Sequence, residues 1–132
     1  MSGVLALRGV VVAALRGDAG LMALVNAVED ASAAKLTPPV LMVGGFVATE
    51  WGARGLHGLS VRVPLILSDR AEDVTRLDSA AARIDAVMDA LPEEAGDWRI
   101  GTVQLASARA LRGSDGHWTM PLDYLVRVSR VV

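Results

Sequence analysis

The spacing of apolar residues changes along the chain, and each change marks an element. From Val4 to Arg16, Leu7, Val11 and Leu15 recur at a spacing of four with Val4 and Ala14 on the same side, which predicts an amphipathic helix. Gly9 inside it costs on the order of 1 kcal/mol of helix stability relative to Ala. Gly17 supplies a C-terminal cap, and Asp18 caps a second short helix across Leu21, Met22 and Val25. Residues 29–39 read as a loop ending in Pro38-Pro39. Val40 to Trp51 is rich in β-branched and large apolar residues and reads as one strand, in which Gly44-Gly45 marks a bulge or a close backbone approach. A turn over 52–58, with three glycines and His57, leads into Leu59–Leu67, where Leu59, Val61, Val63, Leu65 and Leu67 share one face. Ser60, Arg62, Pro64 and Ile66 take the other face. Pro64 has no N–H to give a ladder, so this strand is expected at an edge, or paired on one side only near Pro64.

The period then returns to that of a helix. Starting at Ser68 or Asp69, Val74, Leu77, Ala81, Ile84, Met88 and Leu91 follow spacings of 3, 4, 3, 4 and 3 and draw a single apolar stripe, which Pro92 ends. Three heptads are marginal for a coiled coil, so packing on a sheet is the better reading of the stripe. Two further strands follow, approximately Trp98–Leu111 and His117–Val128, joined by Gly113-Ser114-Asp115-Gly116, a hairpin turn in which Asp-Gly supplies positive φ. In the last strand Trp118, Met120, Leu122, Tyr124, Val126 and Val128 share a face. The expected fold is α+β, in the order α-α-β-β-α-β-β. Its single, mostly antiparallel four-stranded sheet is covered on one face by the N-terminal helix and the long central helix. Residues 1–132 make one domain.

Composition narrows the function. Apolar residues make up 52% of the chain and aromatics only 4%. The aliphatic excess reflects either surface hidden against a partner or an alanine-inflated count. The net charge of −2 and the lack of any block of like charge leave no footprint for gripping nucleic acid. With no cysteine there is no disulfide scaffold, thiolate metal site or thiol nucleophile. The N-terminus has no basic signal region, and no uncharged stretch reaches the roughly 18 residues of a membrane span. A soluble, intracellular protein with no membrane partner is expected.

The residues offer no catalytic constellation. There is no Gly-x-Ser-x-Gly elbow, and Ser68, Ser79 and Ser107 read as cap, helix surface and strand surface. Gly44-Gly45 lacks the spacing and the Lys of a phosphate cradle. Glu93, Glu94 and Asp97 read as a solvated cluster. His57 and His117 could share zinc only if their turns met. A helix between the second and third strands makes those strands parallel. A helix of about 21 residues spans about 31 Å, close to the roughly 30 Å of a nine-residue strand. The two turns therefore fall at opposite ends of the sheet. No metal, no cofactor and no enzymatic activity are expected.

Several segments together resemble the phage tail terminator, or tail completion, family of long-tailed phages and gene transfer agents. RGDAGLMALV after the first helix and PPVLMVGGFVATEW are similar to the family's opening, and HGLSVRVPLILSDRAEDVTRLDSAAARIDAVMDAL to its edge strand and central helix. ALRGSDGHWTMPLDYLVRV is similar to its closing hairpin, so the likeness covers about residues 3 to 130. One departure is Leu67-Ser68, where many relatives carry a bulky aromatic before the Ser; it implies only local repacking.

The resemblance implies a structural virion-assembly protein. It forms a homo-oligomeric ring, a hexamer, that caps the tail tube, stops its polymerisation and joins it to the neck or head. Its partners are then copies of itself, the tail tube protein, a neck or head-completion protein, and double-stranded DNA passing through the lumen without specific binding. Glu93, Glu94 and Asp97 could face that lumen, where like charge lets DNA slide. Localisation is implied in the host cytoplasm during assembly and then at the tail–neck junction of the virion. On this reading Arg54, His57, Arg112 and Asp115, in turns at the two ends, are candidate axial partner contacts, and Val61, Val63 and Pro64 are candidate lateral ring contacts. The alternatives are a neck stopper or head–tail adaptor and, from another class, a small ligand-binding or enzymatic α+β domain.

Overall fold

The computed structural model describes residues 2–33 and 36–131, so residues 34 and 35 of the expected 29–39 loop lie outside the described residues. Its elements in chain order are α1 (Gly3–Arg16), α2 (Ala19–Met22), β1 (Val28–Asp30), β2 (Val40–Val43), β3 (Val47–Ala53), β4 (Leu56–Asp69), α3 (Thr75–Asp89), β5 (Glu94–Ala95), β6 (Trp98–Ala108), β7 (Leu111–Arg112) and β8 (Trp118–Val131). The strands join in one sheet of order β1-β2-β4-β8-β6-β5, with β3 also on β4 and β7 also on β8.

The expected four-stranded, mostly antiparallel sheet in the order α-α-β-β-α-β-β is therefore corrected to an eight-stranded mixed sheet, curled, in a mostly-β chain. Three local causes account for the difference. Val28–Asp30, across the start of the expected 29–39 loop, adds to β2 as a parallel strand. The single strand expected over 40–51 breaks at residues 44–46 into β2 and β3, both of which pair with β4. After α3, β5 and β7 add short pairs to β6 and β8.

The break at 44–46 is tied to Pro64. On one side β4 pairs with β8 along its full length; on the other it pairs with β3 up to Arg62 and with β2 from Leu65. The N–H and C=O of one residue in an antiparallel ladder point the same way. The missing N–H of Pro64 thus falls in the gap between β3 and β2, where its carbonyl still accepts from the Gly44 N–H at 2.9 Å. A Cβ on Gly44 would stand 2.8 Å from Pro64 Cγ, so only glycine allows this approach. Pro64 lies inside the sheet and is laddered only to β8, so of its two expected placements the edge is overturned and the one-sided pairing is found.

One face of the sheet holds the core. Leu7, Val11 and Leu15 of α1 and Leu77, Ile84 and Met88 of α3 pack on Val61, Val63, Leu65 and Leu67 of β4 and on Leu122, Tyr124, Val126 and Val128 of β8. The Tyr124 hydroxyl donates to Asp85 of α3 at 3.0 Å, and Arg83 of α3 reaches the Asp18 carboxylate that also caps α2. α3 begins at Thr75, not at Ser68 or Asp69, because β4 runs on to Asp69; Ser68 is a strand residue and no cap. Asp73 instead accepts from the Thr75 N–H at 2.8 Å. Val74, the expected start of the stripe, is 43% exposed, and the buried positions are Leu77, Ala80, Ile84, Val87 and Met88.

Val61 and Val63 are 0% exposed. Their side chains point into the chain's own core and cannot make lateral ring contacts, because alternation turns Arg62 and Pro64 to the other face. Truncating Leu65 to Ala should lower the unfolding free energy by about 2–5 kcal/mol. An aspartate at Val61 or Val63 should leave the chain unfolded by circular dichroism, not folded and assembly-defective. A folded Val61→Asp chain would contradict this packing.

Candidate functional site

The candidate axial residues fall at the two ends of the β4–β8 ladder. At one end Leu56 pairs with Val131, and at the other Asp69 pairs with Trp118. Thirteen residue steps at about 3.3 Å put the ends about 40 Å apart. His57 lies near one end and His117 at the other, so they share no site.

The near end is the β3–β4 turn, where Gly55 has φ +80 and Arg54 is exposed. His57 is half-buried: its ring meets Trp98 edge-on at 5.2 Å, and Nε2 lies 3.5 Å from Glu50. Arg130 stacks on the same Trp98 at 4.8 Å, and Gly3 lies so close that a Cβ there would sit 2.8 Å from the ring. His57 thus helps to pack this end and is only partly presented. Beside it the β5–β6 turn, with Gly96 at φ +59, carries exposed Asp97, and exposed Glu93 and Glu94 stand at the start of β5.

The far end is the β7–β8 turn. Gly116 takes φ +83, Gly113 N–H donates to His117 O at 2.8 Å, and the His117 N–H donates to Asp115 Oδ1 at 3.0 Å. That backbone bond, with the His117 ring beside it, holds the Asp115 carboxyl below the usual carboxylate range. Arg112 is exposed and lies over Trp118 at 5.7 Å. Next to this turn Asp69, 2% exposed, receives two bonds from Arg76: Nε to Oδ2 at 2.9 Å and Nη2 to Oδ1 at 2.6 Å. The Arg76 bonds hold the Asp69 carboxyl below its ordinary value despite its burial.

The sequence reading missed the arginine over each tryptophan. Arg127 lies over Trp51 at 5.3 Å, and Arg130 and Arg112 cover Trp98 and Trp118. Only Arg112–Trp118 was within reach, since the two residues flank the Gly113–His117 turn and pair across it. A groove of about 550 Å³ runs between α1 and β1, but its arginines are engaged: Arg8 with Asp30 and Gly44 O, Arg16 with Val28 O and Glu29. Among the described residues it presents no convergent set of free polar groups.

The arrangement has known counterparts. The fold is similar to that of a chain in the virion of a native gene transfer agent (GTA) particle, with a TM-score of 0.81, 23% identity, and coverage of 98% of this chain and 99% of that chain. Residues 9–129 match the family model described as tail completion protein gp17. The chain belongs to that family and is a phage tail structural protein. No curated protein matches it.

The Asp69–Arg76 pair gives the far end a defined pH response. A carboxyl depressed in the fold adds stability that is complete above its unfolded value of about 4 and is lost as pH falls through the folded value. Arg76→Met should cost about 1 kcal/mol at pH 7, allowing for the exposure of Arg76. That cost should shrink in denaturant titrations near pH 2, and a difference independent of pH would contradict the pairing.

Proposed function

We propose that the chain is one tail-terminator domain, residues 1–132, whose copies close into a ring on the finished tail tube. The ring stops tube growth and joins the tail to the neck or head. The observation that carries this reading is the disposition of contacts: turns at both ends of a long ladder, and open strand edges at both sides. A ring subunit needs both, because it meets tube below, neck above and copies of itself to left and right. Membership of the tail completion family supports the reading, and so does a fold shared with a gene transfer agent virion subunit.

The β7–β8 turn with Arg112 and Asp115 and the β3–β4 turn would meet the axial partners, while double-stranded DNA passes through the lumen unbound. A hexamer is the copy number the family resemblance implies. The protein would assemble in the host cytoplasm and end at the tail–neck junction, in a phage or a gene transfer agent. The mechanism is steric: one ring face matches the last tube ring, and the other face refuses another.

Deleting the gene should give tails of uncontrolled length, unjoined to heads, in electron micrographs. Finished tails of normal length beside leaking heads would overturn this reading and point to a neck stopper.

A further inference from the structure

The outer edge of β6 is open. β5 covers it only at Trp98 and Arg99, and the Ile100 N–H donates to Glu93 O; among the described residues, Val103–Leu105 and Ser107–Ala108 pair on the β8 side alone. No charged side chain lies between Arg99 and Arg109, so the edge lacks one usual guard against strand addition, although its ladder to β8 shifts register at residues 101–102 and 106. Leu105 there is 43% exposed. On the far side of the sheet β3 is also an edge, pairing only with β4 among the described residues, and its Val47 is 64% exposed.

Direction and length fit these edges to each other. The pairs β3–β4, β4–β8 and β8–β6 are all antiparallel, so β3 and β6 run in opposite directions. Rotation about an axis along the strands preserves direction, so β3 of one copy meets β6 of the next antiparallel, as the rest of the ladder requires. β3 has seven residues, Val47–Ala53, and the open stretch of β6 runs from 101 to 108. Seating one on the other slides neighbouring copies by about three residues, or about 10 Å, and such stagger is what closes a sheet into a barrel. In that setting the end of β3 comes to the point where β5 stops, so exposed Arg54 lands beside exposed Glu93 and Glu94.

Resting on the ring reading above, we propose that the lateral contact is strand addition: β3 of one copy pairs antiparallel with residues 101–108 of the next, and Arg54 against Glu93 and Glu94 sets the register. The two edges differ, so the contact is heterologous and propagates around the ring. Arg54 thereby serves the lateral contact as well as the turn that faces the axial partner.

The test measures the native mass of the full-length chain, with tail tube protein present, across a concentration series. Arg54→Glu and Glu93→Arg should each raise the concentration for half-assembly about tenfold, since each sets like charges together. The double variant R54E/E93R should return it to within about threefold of the parent. Unchanged single variants, or a double variant no better than the worse single, would overturn the strand pairing. A parent that stays single beside tube protein would overturn the ring reading along with it. Should the reversals unfold the chain, Glu50→Cys/Leu105→Cys tests the same contact in a chain without native cysteine. Oxidation should link copy to copy in a ladder, and links to tube protein alone, or none in assembled rings, would overturn the proposal.

Discussion

The antiparallel pairing of β4 with β8 over fourteen residues is the interaction on which everything else depends. β2 and β3 attach to one side of it, β6 and β7 to the other, and α1 and α3 lie across its face. The partners are some sixty residues apart in the chain, so the ladder closes a long loop and must offset its closure entropy. The ladder also fixes the length of the molecule, and therefore the separation of its two turn-bearing ends.

Pro64 shows how the sheet accommodates a residue that cannot donate. A proline inside a strand is usually a mark of an edge. Here the chain changes partner at the missing N–H, with β3 ending and β2 beginning, and Gly44 fits against the ring where no other residue would. One sequence feature thus explains both the interrupted strand and the placement of β3. Because β2 occupies only the far half of β4, β3 is left as a separate open border, opposite the open border of β6.

Much of this was legible in the sequence. Alternation over Leu59–Leu67 and Trp118–Val128 reports burial against helices, and the stripe ending at Leu91 reports a helix packed on a sheet. The Asp115-Gly116 turn and the family resemblance were readable as well. What was not legible depends on partners. Three residues, Val28-Glu29-Asp30, become a strand only because β2 lies beside them. Asp69 resembled a helix start because Arg76, the group that holds it, stands seven residues on. Val61 and Val63 read as lateral contacts but fill the chain's own core, since period alone gives a face and not its occupant. The arginines over Trp51 and Trp98 depend on cross-strand register, which a single sequence does not print.

The central claim is that the chain is complete in its core and incomplete at its borders. Hydrogen exchange read amide by amide, on the isolated chain and on assembled rings, tests this most directly. The β4–β8 amides should be slow in both states. Those of 47–53 and 101–108 that point away from the sheet should exchange fast in the isolated chain and become slow in the ring. Border amides already slow in the isolated chain, or still fast after assembly, would contradict the account.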